Sequence, residues 1–306
     1  MSAKVIISGL RLLRRLRPDV SPGAAVLAVP TIPNKMKNLS KKFSSLNELS
    51  AWISNNPVSG YFVDYAKKYK LASTDTGKNN ENFTGTKNYE TANDLMLHGW
   101  ADGAKRVQAA MVQAAGAVSD RPRCYNSIVG FAPNVPNYLT GCPLNMINKK
   151  RVRVPARVVD IVYNNGVACN IKASDIERAA ARLFNVVVGL ERSGIRVNLW
   201  VLNINVSNDQ NASVAVKIKS ANQPFNLLKM VYPCVHPSFQ RRHMFAALER
   251  LGVTGSNSDW GGYGRVIKDS EKIKQVVNAF GLSDKNIFDY YAISGKSEKQ
   301  IADMIK

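Results

Sequence analysis

Acidic residues are scarce in this chain. Its 306 residues include 22 Asp and Glu against 42 Lys and Arg, a formal net charge of +20. Such an imbalance destabilises a compact state by self-repulsion, so a polyanionic partner is the economical reading, and nucleic acid is favoured over an anionic membrane. Cysteine and histidine are scarce too. The cysteines Cys124, Cys142, Cys169 and Cys234 form no C-x-x-C pair and fit neither a disulfide framework nor a zinc site. They read as reduced, mostly buried cytosolic thiols. Cys234, His236 and His243 could in principle meet at a metal, but no carboxylate or second cysteine stands at ligand spacing. No apolar run approaches the ~20 residues of a membrane span.

Nucleotide-binding signatures are lacking as well. Gly295-Lys296-Ser297 echoes the end of a P-loop, but Tyr290 stands where its first glycine is required. Gly261-Gly262-Tyr263-Gly264 follows a helix rather than a strand. Paired carboxylates for metal-dependent or acid–base chemistry are thin. Asp160 is an odd acid in an apolar strand, and only Asp175 and Glu177 could converge with it; those two serve a helix start more simply. These readings favour a protein that is not an enzyme and needs no cofactor or metal.

What is present centres on residues 158–219. Val158–Tyr163 has the Val, Ile and Tyr content of a buried strand. Ser174 and Glu177 have the spacing of a capping box, and apolar residues recur at helical spacing from Ile176 to Leu190. Gly194 stops that helix, and a second apolar run spans Ile195–Val206. The short joints predict a parallel crossover. In 213–219, Val214, Val216 and Ile218 alternate with Ser213, Ala215, Lys217 and Lys219. This predicts an antiparallel strand with one face in water. The fold class is α/β: a small mixed sheet with flanking helices and helical N- and C-terminal extensions.

Four segments are expected. Residues 1–42 form a basic arm, interrupted by Pro18, Pro22, Pro30 and Pro33. Its basic amphipathic start resembles a targeting peptide, but its apolar piece is late and short, so an arm that orders on a partner is preferred. Residues 43–90 hold helices near 46–53 and 61–71, then a loop from Ser73 to Asn88. Residues 91–265 form the α/β core. Within it lie helices at 93–97, 101–117 and 237–251, and Pro-, Asn- and Gly-rich chain at 128–154. Residues 266–306 contribute helices at 270–280, 283–292 and 297–305.

Binding of single-stranded nucleic acid needs cations to track phosphates and flat rings on which bases stack. Four segments interleave the two. One has Lys67, Lys68 and Lys70 with Tyr65 and Tyr69. The second has Arg121, Arg123 and Tyr125. The third has Tyr138, Lys149, Lys150, Arg151, Arg153 and Arg157. The fourth has Arg241, Arg242, Trp260, Tyr263 and Arg265. Each alone also reads as a solvated face; the collective bias is harder to dismiss. The Lys149–Arg153 run is the densest and leads straight into the first strand of the scaffold.

Ala92-Asn93-Asp94-Leu95-Met96-Leu97-His98-Gly99-Trp100 and the pattern Pro133-x-Val135-Pro136-x-Tyr138-Leu139-x-Gly141-x-Pro143-x-x-Met146 are similar to a phage and plasmid family of unknown function. The likeness runs over about residues 90–265, including His236–Arg242. A basic protein of this size also resembles the single-stranded-DNA-binding transcription cofactor of short-tailed lytic phages. That resemblance implies single-stranded DNA as ligand, a phage RNA polymerase as partner, and the cytoplasm of an infected bacterium as location. RNA is the second ligand class. The rival readings are a metal-dependent nuclease-like enzyme and a structural or packaging protein.

Overall fold

The computed structural model describes residues 37–58, 81–114, 124–149, 157–168, 170–206, 210–252, 267 and 269–305. The elements that frame the site are β1 (Lys37–Phe43), α1 (Leu46–Asn55), α2 (Glu81–Thr84), α3 (Tyr89–His98), α4 (Ala101–Ala114), β2 (Cys124–Ser127), β3 (Ala132–Pro133), α5 (Val135–Leu139) and β4 (Met146–Lys149). They continue with β5 (Val158–Asn164), α6 (Ala173–Arg192), β6 (Arg196–Val206), β7 (Gln210–Lys219), α7 (Leu227–Val235), a π-helical stretch Phe239–Met244, α8 (Phe245–Arg250), α9 (Ser270–Ala279), β8 (Ile287–Asp289), α10 (Tyr290–Ile293) and α11 (Glu298–Asp303).

The expected mixed α/β class holds. The main sheet has five strands in the order β1-β7-β6-β5-β8. β5 and β6 pair in parallel across the α6 crossover, and β6 and β7 pair antiparallel. Alternation along each strand sends residues to two cores. Ile161, Tyr163, Leu199, Val201, Val214 and Val216 face α6, together with residues of α1, α3, α7, α8, α10 and α11. Val162, Trp200, Leu202, Ile204 and Ala215 face Ile273 and Val277 of α9 and Phe280 and Leu282 beyond it.

Several expectations are corrected. The sheet is wider than its three central strands, because β1 adds to β7 and β8 to β5, both in parallel. The expected helix at 283–292 is instead β8 followed by the single turn α10. The face of β7 expected to meet water is covered. Ala215 lies in the second core, and Lys217 lies over the buried Trp200 ring, 4.8 Å from its centroid, with Lys42 4.7 Å away. A bulge between Leu199 and Trp200 then turns Lys219 to the other face. There, fully buried, it pairs with Glu191 and donates to Val197 O at 3.1 Å.

Helix starts follow their side chains. Ser45 caps α1, and Ser297 forms a capping box with Gln300 at α11. α6 departs from expectation: its cap position is Lys172, with no side-chain cap hydrogen bond. Glu177 instead accepts from Arg106 at 2.8 Å, and Asp175 pairs with Arg178. Arg250 satisfies the last carbonyls of α1 by donating to Ile53 O and Asn56 O, each at 2.8 Å. The expected 237–251 helix begins as the π-helical stretch and turns α-helical at Phe245. The second half of the expected 73–88 loop is ordered, with Thr86 buried. The expected 61–71 helix and the Gly261–Gly264 stretch lie outside the described residues.

Candidate nucleic-acid interface

Between α4 and β5 the chain builds a second, three-stranded sheet in the order β2-β4-β3. Its composition explains it. Asn134 caps α5 and its Nδ2 donates to Asn126 Oδ1 at 3.0 Å. Asn137 Nδ2 donates to Leu144 O at 2.9 Å, and Asn148 Nδ2 donates to Val129 O at 2.8 Å. Gly130 lies so close to β4 that a Cβ there would stand 2.2 Å from Ile147 O. Side-chain amides and one close backbone approach brace the module where a hydrophobic core would otherwise be needed.

This frame leaves rings outside. Tyr138 is 68% exposed, Phe131 61% and Tyr125 45%. Lys149 lies over Phe131, its Nζ 4.6 Å from the ring centroid. The register pairs Cys124 with Lys149 across β2 and β4. The chain therefore enters and leaves the module side by side. In the sequence, Arg123 precedes the first of these strands and Lys150 follows the second.

The remaining expected site residues divide. Arg157 is exposed at the amino end of β5, where its carbonyl accepts from Arg196 N at 2.8 Å. Arg241 lies over the Phe83 ring, 4.2 Å from its centroid, and donates to Phe83 O. Arg242, also expected at the interface, has partners inside the fold. It is buried, donating to Thr86 Oγ1 and Thr86 O at 2.8 Å each and to Thr84 Oγ1 at 3.2 Å. Lys67, Lys68, Lys70, Arg121, Arg123, Lys150, Arg151, Arg153, Trp260, Tyr263 and Arg265 lie outside the described residues.

The carboxylates weighed for nuclease chemistry do not converge. Asp160 shares the sheet face of Val162 and accepts from Asn198 Nδ2 at 2.8 Å, whereas Asp175 and Glu177 stand on α6 across the sheet. Nor do the residues weighed for a metal gather. Cys234 is a buried thiol whose pKa burial pushes up. His236 Nδ1 is 2.6 Å from Ser238 Oγ, and the His243 ring is stacked on Phe239. No helix among the described residues is long and apolar enough to cross a membrane.

Sequence reasoning missed the ring cluster around His236. Tyr232 stacks on His236 at 5.1 Å between centroids, and Trp100 meets it edge-on at 4.6 Å. Burial, with Arg106 nearby, pushes His236 down to about 4, so it is neutral near pH 7. The only sequence signal was a histidine-proline step at the end of a helical run, which does not announce a packed ring.

Comparison with curated proteins and with solved structures gives no match. A family model described as a domain of unknown function, DUF7192, matches residues 22–304, well beyond the 90–265 stretch that carried the resemblance. The chain belongs to that family.

Proposed function

We propose that this protein binds single-stranded nucleic acid, DNA foremost, with little sequence preference, and that it serves phage-type transcription by bringing a phage RNA polymerase to unpaired template. The observation that carries the binding is the Asn-braced module, with Tyr125, Phe131 and Tyr138 exposed and Lys149 placed on Phe131. Exposed rings beside cations are what unpaired bases and their phosphates need. The net charge of +20 supplies the long-range attraction. The polymerase part of the reading rests on the resemblance. It is supported by exposed Ile128, Val129 and Leu139 on the same module, apolar side chains of the kind a protein partner covers. The protein acts by binding rather than by chemistry, in the cytoplasm of an infected cell.

The test is a titration of fluorescent single- and double-stranded DNA and RNA across salt. The expected result is tightest binding to single-stranded DNA, weakening steeply as salt rises. Binding indifferent to salt, or duplex bound as tightly as single strands, overturns the reading. Magnesium-dependent cleavage of the strand would replace it with the nuclease.

A further inference from the structure

The five-stranded sheet changes direction at β5. From β5 the chain crosses by α6 to β6, and α6 covers one face. β8 pairs with the other side of β5, and α9, which precedes β8, covers the opposite face. Parallel strands whose connections part in this way leave a crevice between their carboxyl ends, the place where open α/β sheets bind ligands. A cavity of about 590 Å³ opens there, lined by residues of β5, β8, α9 and α10.

β5 and β8 end on Asn164 and Asp289, and both line the cavity. The register sets the two side by side, as it sets Val162 beside Ile287. Alternation puts Asn164 on the face of Val162, toward α9. Asn164 is 3% exposed. Gly166 N–H donates to its Oδ1 at 3.2 Å, and a backbone N–H can only donate, so the amide orientation is fixed. Its Nδ2 meets no acceptor among the described residues, and unlike the sealed Nδ2 of Asn165 it keeps open surface.

Asp289 is the counterpart. Its Oδ1 accepts from Ala292 N–H at 2.6 Å at the start of α10, and its Oδ2 meets no donor among the described residues. A donor and an acceptor thus stand next to each other at the strand ends. Each side chain is held by a backbone N–H, and each has one polar atom left to offer.

The surroundings of this pair are apolar. Ile273 of α9, Ile287 of β8 and Ala292 of α10 line the cavity, and Tyr291 adds a ring that is 43% exposed. That ring is held in place: its hydroxyl accepts from Ala168 N–H at 3.3 Å, and it meets Tyr290 edge-on at 5.2 Å between centroids. A ligand that matches this lining has apolar faces and, on one edge, an acceptor beside an N–H. Nucleobases are built that way. The turn after β5, Asn165-Gly166-Val167-Ala168, is no glycine-rich phosphate cradle, so the recognition falls on the base.

We propose that this cavity binds a nucleobase by its edge, with Asn164 Nδ2 donating to a carbonyl or ring nitrogen and Asp289 Oδ2 accepting from the neighbouring N–H. Two sources share that chemistry: an unpaired base within a strand and the base of a free nucleotide. The site is separate from the small sheet that carries Phe131 and Tyr138 and does not depend on it.

The test uses the full chain. Calorimetry compares adenosine, guanosine, cytidine and uridine monophosphates with ribose 5-phosphate, which has the sugar and the charge but no base. At least one monophosphate should bind tenfold or more tightly than ribose 5-phosphate. Asp289→Asn keeps the acceptor for Ala292 N–H and turns Oδ2 into a donor; Asn164→Asp keeps the acceptor for Gly166 N–H and turns Nδ2 into an oxygen. Each variant, checked for a native circular dichroism spectrum, should lose at least tenfold in affinity for that monophosphate and stay within about twofold for ribose 5-phosphate. An oligonucleotide of the preferred base separates the two sources. A comparable loss for it in Asp289→Asn assigns the cavity to a base of the strand; unchanged affinity assigns it to the free nucleotide. Monophosphates that all bind no tighter than ribose 5-phosphate, or undiminished binding in either folded variant, overturn the proposal. An oligonucleotide that does not bind at all removes the single-strand reading and leaves the cavity, read by the monophosphates, standing.

Discussion

Lys149 holds its ammonium 4.6 Å from the centroid of the Phe131 ring, on a strand whose register sets Cys124 opposite Lys149. A cation and a ring are thus held together at the end of β4. A base stacking near Phe131 would find its phosphate close to a positive charge.

Phe131→Ala and Tyr138→Ala should therefore weaken single-strand binding. Removal of one stacking ring costs about 1–3 kcal/mol, or roughly 5- to 150-fold in affinity. Both rings are largely exposed, so the melting temperature should barely move. Fluorescence anisotropy at fixed salt measures the first effect and a thermal scan the second. Unchanged affinity in both variants would remove the module from the interface.

Lys149→Met makes a different prediction. For single strands the logarithm of affinity falls against that of salt with a slope of about −0.7 per phosphate neutralised. Loss of Lys149 should make the slope shallower by about 0.7. Lys285→Met, on the exposed surface before β8, should leave it unchanged if Lys285 meets no phosphate. The double-logarithmic plots of the two variants are the check.

The centre of the fold was readable because its signals agree. Val-rich β5, apolar periodicity along α6 and the alternation in β7 each require the structure they adopt. The edges were not readable for a physical reason. Lys37–Phe43 looks like a solvated basic arm, and only pairing with β7 makes it a strand. Ile287–Asp289 is too short to carry periodicity and is a strand because β5 lies beside it. At the interface, residue types showed which side chains suit nucleic acid but not which reach the surface. Arg241 and Arg242 are neighbours in sequence, yet one stacks on Phe83 and lines a cavity while the other is buried beneath Thr86. The asparagines of 126–148, read as loop formers, are cross-braces.

Arg242→Met should separate folding from binding. It removes the guanidinium donor to the buried Thr86 Oγ1 and one of the two donors to Thr86 O, which keeps the Thr84 hydroxyl. A loss of about 2–4 kcal/mol is expected, read as a lower urea midpoint with an unchanged m-value. Single-strand affinity of the folded fraction should stay within about twofold of wild type, since Arg242 is buried. A large affinity loss with normal stability would return Arg242 to the interface.

The pH dependence of stability tests the buried histidines. Burial pushes His243 down to about 3 and His236 to about 4, against an ordinary value of 6.5. Below pH 6.5 the unfolded chain protonates both rings while the folded chain does not. The unfolded state then binds more protons, so stability falls as pH falls, by up to ~1.4 kcal/mol per pH unit for each ring. The fall belongs to the window from 6.5 down to about 4 for His236 and about 3 for His243. Carboxylates titrate across part of the same window, so the histidine share is isolated by difference. His243→Phe keeps the ring stacking with Phe239 and loses the titration. Its unfolding free energy, from urea titrations at a series of pH values, should fall less steeply than wild type between pH 6 and pH 4, by roughly one proton's worth of slope. Parallel curves for the two proteins would mean that His243 is already charged in the folded state.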